Sequence, residues 1–139
     1  MITFNYETDF RLENEEQIRN WIGEVIASEE KSEGEISYIF CDDAYLHQLN
    51  VDYLNHDTLT DIISFDYCLG NQINGDIFIS VERVQENANE FSTTFDEELK
   101  RVIIHGILHY CGYKDKSETD QAEMTNKENE KIQMFHVEH

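Results

Sequence analysis

The chain has 139 residues, 40% of them hydrophobic and 12% aromatic, and carries a formal net charge of −20. That is apolar material enough for a packed core and excludes a disordered acidic tail. The charge excludes tight sequence-independent binding of nucleic acid over the whole surface, and no DNA partner is expected. Residues 1–6 lack the basic start and apolar run of a signal peptide, and no apolar stretch approaches membrane-spanning length, so no membrane partner is expected. Cys41, Cys68 and Cys111 are odd in number, widely spaced and form no CxxC pair, which is the pattern of a reduced, cytoplasmic protein.

With no proline, repeat or low-complexity linker, one domain over residues 1–139 is expected. Residues 2–6 alternate apolar and polar as a half-buried strand does. Asn14 with Gln17 resembles a capping box, and Ile18, Trp21, Ile22, Val25 and Ile26 then trace a helical stripe. Ile36 to Phe40 reads as a strand, and Asp42 or Asp43 caps a helix carrying Leu46, Leu49 and Tyr53. Asp61 to Tyr67 reads as a strand, Gly70-Asn71 as a turn, and Asp76 to Ile79 as the partner strand.

Ser80 can cap a helix with Val81, Val84, Ala88 and Phe91 on one side. Thr94 and Glu97 form a capping box for the next, in which Leu99, Val102, Ile103, Ile104, Ile107 and Leu108 cover much of the circumference. Such a helix is a buried one. Ser117 with Asp120 opens a last helix, polar except for Ala122, Met124, Ile132 and Phe135, with a tail prone to fray. The expected fold is α/β (α+β): a small mixed sheet of about four strands covered by helices, around a buried central helix.

That central helix carries His105-Gly106-Ile107-Leu108-His109, followed by Gly112 and Asp115. Residues four apart share a helix face, so two imidazoles can bind one metal ion. Gly112 can end the helix in a left-handed conformation and let Asp115 swing back beneath the rings. His105, His109 and Asp115 are therefore the candidate ligands of one Zn2+, with an open position as in catalytic sites. The spacing also arises by chance, with the histidines as packing residues. The buried helix, the glycine and the later Asp together favour the metal.

A His pair, a Gly turn and a third ligand also occur in metzincin-type proteases. Here Gly106 occupies the place of the HExxH general base, which disfavours a peptidase. A zinc ion still lowers the pKa of bound water to about 7 and polarises a phosphoryl oxygen. No Ser–His or Cys–His pairing is visible. Lys100, Arg101, Lys114 and Lys116 flank the motif, where a local positive patch would admit a phosphate; solvation of helix ends accounts for them equally well. His47, His136 and His139 read as surface residues, and His56 as part of a polar loop. Cys111 reads as a small buried hydrophobe, and the runs Glu13 to Glu16 and Glu128 to Glu130 as solvated faces.

Two segments give the chain a family likeness. Leu49-Asn50, Tyr53, Asp57 and Thr60-Asp61-Ile62-Ile63-Ser64-Phe65 form one; His105-Gly-Ile-Leu-His-Tyr-Cys-Gly-Tyr113 forms the other. With Gly75-Asp76-Ile77 between them, they resemble the YbeY family over essentially the whole length. The resemblance implies a zinc-binding α/β fold and endoribonuclease action on single-stranded RNA. It also implies a role in maturing ribosomal RNA precursors and in ribosome quality control, with the small ribosomal subunit or its proteins as partners. By analogy Asp61 and Ser64 lie near the site, although Asp61 can also cap a turn and Ser64 satisfy a strand edge.

Three departures stand out. Asp115 occupies the place of the family's third His, and a carboxylate is an acceptable, harder zinc ligand. Leu54 replaces an Arg that would clamp phosphate, so a substitute would have to come from Lys100, Arg101, Lys114 or Lys116. Leu59 replaces a proline before Thr60-Asp61. Leu54 and the acidic surface also support a rival reading, a metal-binding ribosome-assembly factor with little or no catalysis; a different metallohydrolase is a third.

Overall fold

A computed structural model describes residues 1–55 and 60–138, so His56, Asp57, Leu59 and His139 lie outside the described residues. Four strands form one mixed sheet in the order β1-β2-β4-β3: β1 Ile2–Tyr6, β2 Ser32–Cys41, β3 Ile62–Asp66 and β4 Gln72–Ser80. The β1/β2 and β2/β4 pairs are parallel, and β3 runs antiparallel along β4. The helices are α1 Glu15–Ser28, α2 Asp43–Leu54, α3 Val81–Glu90, α4 Phe95–Tyr110 and α5 Glu118–Glu138. Among the described residues no helix is long and apolar enough to cross a membrane.

Strand alternation divides the core in two. Ile36, Tyr38 and Phe40 of β2 and Ile73, Ile77 and Ile79 of β4 face α1, α4 and α5, where Trp21, Ile103, Ile107 and Phe135 complete the main cluster. Cys41 and Ile63 face the opposite way and enclose Leu46 of α2 in a smaller cluster. On β3 the same period sends Ile63 and Phe65 toward α2, while Ile62 meets α4. Burying a side chain such as Ile103 or Leu108 is worth about 1.5–3 kcal/mol.

Most caps lie where the residue types place them. Asp42, Ser80, Thr94 and Ser117 each accept from the backbone N–H three residues on. Asn14 does not. Its backbone at ψ 50° turns its side chain off the helix end, and the amide donates to Gln17 Oε1 instead. Thr94 forms only half of its box, because the Glu97 carboxylate pairs with His136 at 3.0 Å. Both central strands outrun their apolar segments, since ladder pairing reaches Ser32 opposite Gln72. Tyr53, Ala122 and Phe91 are exposed rather than turned into the core.

Helix α5 is the larger departure. It is 21 residues long and is tied down along its length. Trp21 Nε1 donates to the Lys131 carbonyl at 2.7 Å, and the Trp21 and Phe135 rings meet edge-on at 5.4 Å. Lys131 Nζ reaches Glu29 at 2.9 Å and Ser28 Oγ at 3.0 Å. Glu128, expected on a solvated face, is buried, with its carboxylate on Arg101 and His105 of α4.

Candidate metal centre

Helix α4 ends as its sequence requires. Gly112 adopts φ +106°, Gly112 N–H donates to the His109 carbonyl at 3.0 Å, and Tyr113 N–H donates to Leu108 at 3.1 Å. This is the paired closure that a left-handed residue after the last helical turn makes possible. The reversal carries Asp115 back under the histidines. Its Oδ2 lies 3.3 Å from His105 Nε2 and 3.3 Å from His109 Nε2. The two rings stand edge-on with centroids 4.6 Å apart. One donor atom from each of the three residues fits within a 4.8 Å span, so the group could hold a metal ion.

The chemistry of the donors fits such an ion. His105 Nδ1 donates to Glu128 Oε2 at 2.7 Å, which puts the ring proton on Nδ1 and leaves the Nε2 lone pair facing Asp115. A carboxylate behind a ligating imidazole is the usual arrangement that fixes tautomer and raises basicity. Burial opposes a charge on His105, but the bond to Glu128 and the charges of Glu128, Asp115 and Asp61 outweigh it and raise its pKa. Arg101 braces the array: its guanidinium donates to Glu128 Oε1 at 2.9 Å and to Asn129 at 2.7 Å.

A cleft of about 410 Å³ opens onto these atoms between α4, the edge strand β3 and α5. Glu98, Arg101, Val102, His105 and His109 line it as one stripe of α4 at helical spacing. Asp61 and Ser64 line the opposite side. Asp61 is largely buried, which raises its pKa, and Asn87 donates to its Oδ2 at 3.2 Å. At Gly106 a methyl group would meet the ends of Ile77 and Ile62 at 3.1 and 3.2 Å, so α4 sits tight on the sheet there. The residue standing where a general base is absent thus has a packing role of its own.

Of the two readings of the flanking basic residues, the positive patch does not form. Lys100 is 4% exposed, ion-paired with Asp96 and set over the Phe135 ring at 4.5 Å, because α5 covers that side of α4. Lys114 and Lys116 are exposed and outside the cleft wall, as is Leu54 at the end of α2. Among the described residues Arg101 is the one Lys or Arg lining the cleft, facing Asp61, Glu98, Asp115 and Glu128. Cys111 is half-buried against the core with its thiol pushed up to about 11 by burial, and does not join the donor group. His47 is half-buried, and His136 is the exposed partner of Glu97.

Glu128 is the residue that the sequence reading missed. Met124, Glu128 and Ile132 recur at four-residue steps on the buried face of α5, so the spacing marks it as inward-facing.

Fold and site together define an α/β protein with a candidate His–His–carboxylate centre at the floor of an open cleft. The family model described as Endoribonuclease YbeY matches residues 2–136. A Flavobacterium johnsoniae protein named Endoribonuclease YbeY is 69% identical over 138 residues, 99% of each chain. One of the same name from Flavobacterium psychrophilum is 64% identical over 137 residues, 99% of this chain and 98% of its own. A Thermotoga maritima protein solved in solution superposes with a TM-score of 0.72 at 27% identity, over 99% of this chain and 91% of that one. The chain belongs to the endoribonuclease YbeY family.

Proposed function

We propose that the protein is a zinc-dependent endoribonuclease that cleaves single-stranded segments of ribosomal RNA precursors. His105, His109 and Asp115 hold the metal, and Glu128 keeps the proton of His105 on Nδ1. The observation that carries this reading is the convergence of both Nε2 atoms on Asp115 Oδ2 at 3.3 Å, in a cleft open to a polymer. When bound, zinc supplies an activated water and a counter-charge for the phosphoryl oxygens. Arg101 is the cleft cation available to a phosphate oxygen, in place of the guanidinium lost at Leu54. The carboxylates around it deter phosphates that no metal neutralises.

The test is metal content and cleavage of single-stranded ribosomal RNA fragments, in the wild type and in His109→Ala. Zinc is expected at one per wild-type chain, with metal and cleavage lost together in the variant. Undiminished cleavage by metal-free protein or by His109→Ala would sink the reading.

The acidic cleft, with four carboxylates around one guanidinium, favours a second reading: an assembly factor that docks on basic ribosomal proteins. Retained metal with no cleavage of any RNA, and co-purification with small ribosomal subunits, would select it.

A further inference from the structure

A second cavity, of about 250 Å³, adjoins the metal cleft and shares Glu98 and Arg101 with it; Phe91, Thr93 and Glu97 complete it. Two of these residues are unusual in their exposure. Glu98 is 6% exposed and lines both cavities, and no hydrogen bond or ion pair is assigned to its carboxylate among the described residues. Burial and the charges of Asp61 and Glu128 raise its pKa against the pull of Arg101, so a donor that reaches it from the cavity would be favoured. Phe91, just beyond α3, is 64% exposed. Glu97 does not compete for a ligand, since His136 holds its carboxylate.

The two features suit one kind of ligand. An exposed aromatic ring is a stacking platform for an unpaired base. A carboxylate offers two adjacent acceptors and no donor. Of the four RNA bases only guanine presents two adjacent donors, N1–H and N2–H₂, on its pairing edge. Adenine and cytosine each set an acceptor beside their single amino group, and uracil sets carbonyls on both sides of its one N–H. Arg101, in the wall common to both cavities, stands where the connecting phosphate would pass.

We propose that this cavity is a nucleobase subsite selecting guanine beside the cleaved bond, with Phe91 stacking on the base and Glu98 accepting from its N1–H and N2–H₂. The inference rests on the RNA substrate argued above. Its test is fluorescence anisotropy of the zinc-loaded full chain with short uridine-based 2′-O-methyl oligonucleotides carrying one guanine, inosine or adenine. The guanine probe should bind about tenfold more tightly than the adenine probe, with inosine, which lacks the 2-amino group, between them. Glu98→Gln should abolish that ratio while leaving adenine binding within about twofold, and the exposed-site variant Phe91→Ala should weaken all three probes about tenfold. A wild type that binds without preferring guanine, or a ratio unchanged in Glu98→Gln, overturns the subsite alone. Failure of the wild type to bind any probe overturns the RNA reading and the subsite with it.

Discussion

Glu128 shows how one carboxylate can govern a centre to which it contributes no ligand. Its Oε2 takes the Nδ1 proton of His105 and its Oε1 takes Arg101, so one side chain sets the tautomer of a ligand and anchors the cleft cation. Glu128→Gln keeps the volume but loses the charge that holds the ring proton. Zinc affinity, read by chelator competition, should fall about 10- to 100-fold, the usual cost of removing such a partner. Unchanged affinity would assign Glu128 a packing role only. His105, His109 and Asp115 were legible at this scale because a helix fixes the side-chain period and a glycine announces a reversal. Glu128 was not, because its neighbours Asn129 and Glu130 are exposed and the run reads as a solvated face unless Met124 and Ile132 are counted with it. Lys100 misled for the converse reason: its charge suggests solvent, while α5 covers it and sets the Phe135 ring beneath its ammonium.

Helix α4 stops at the residue that lets Asp115 return, and that stop is conformational rather than steric. Nothing lies within 4 Å of a Cβ built on Gly112, but its φ of +106° is one that other residues rarely adopt. Gly112→Ala should therefore cost about 1 kcal/mol or somewhat more in urea denaturation, and loosen zinc by shifting Asp115. Stability equal to the wild type would contradict this account of the turn. Elements announced by short-range chemistry were legible: the caps at Asp42, Ser80, Thr94 and Ser117, and the strand period that splits Ile62 from Ile63. The ends of β2 and β4 were not, since Ser32 and Gln72 extend the sheet through a mutual ladder that neither residue type signals.

Across the whole molecule, α5 joins the two ends of the fold by closing over α1 and α4, and its buried ion pair gives stability a defined pH dependence. Burial pushes the pKa of Glu29 up, but hydrogen bonds from Lys131 and Tyr113 and the charges of Lys131 and Lys127 outweigh it, leaving the pKa below the ordinary 4.5. A carboxylate so depressed stabilises the folded state above its unfolded value, and that contribution is lost as pH falls through the folded one. Thermal melts should therefore show a steeper acid decline in wild type than in Glu29→Gln below about pH 4.5, and parallel curves would refute the assignment. None of this was legible locally: Glu29 and Lys131 lie 102 positions apart, and only the docking of α5 pairs them.

The central claim is that two imidazoles and one carboxylate meet on a shared zinc ion. X-ray absorption at the zinc edge of the loaded protein tests it most directly. The account predicts two imidazole nitrogens at about 2.0–2.1 Å and oxygen at about 2.0–2.2 Å, with Asp115→Ala changing the oxygen shell alone. A sulfur shell at about 2.3 Å, or a spectrum without imidazole scattering, would contradict it.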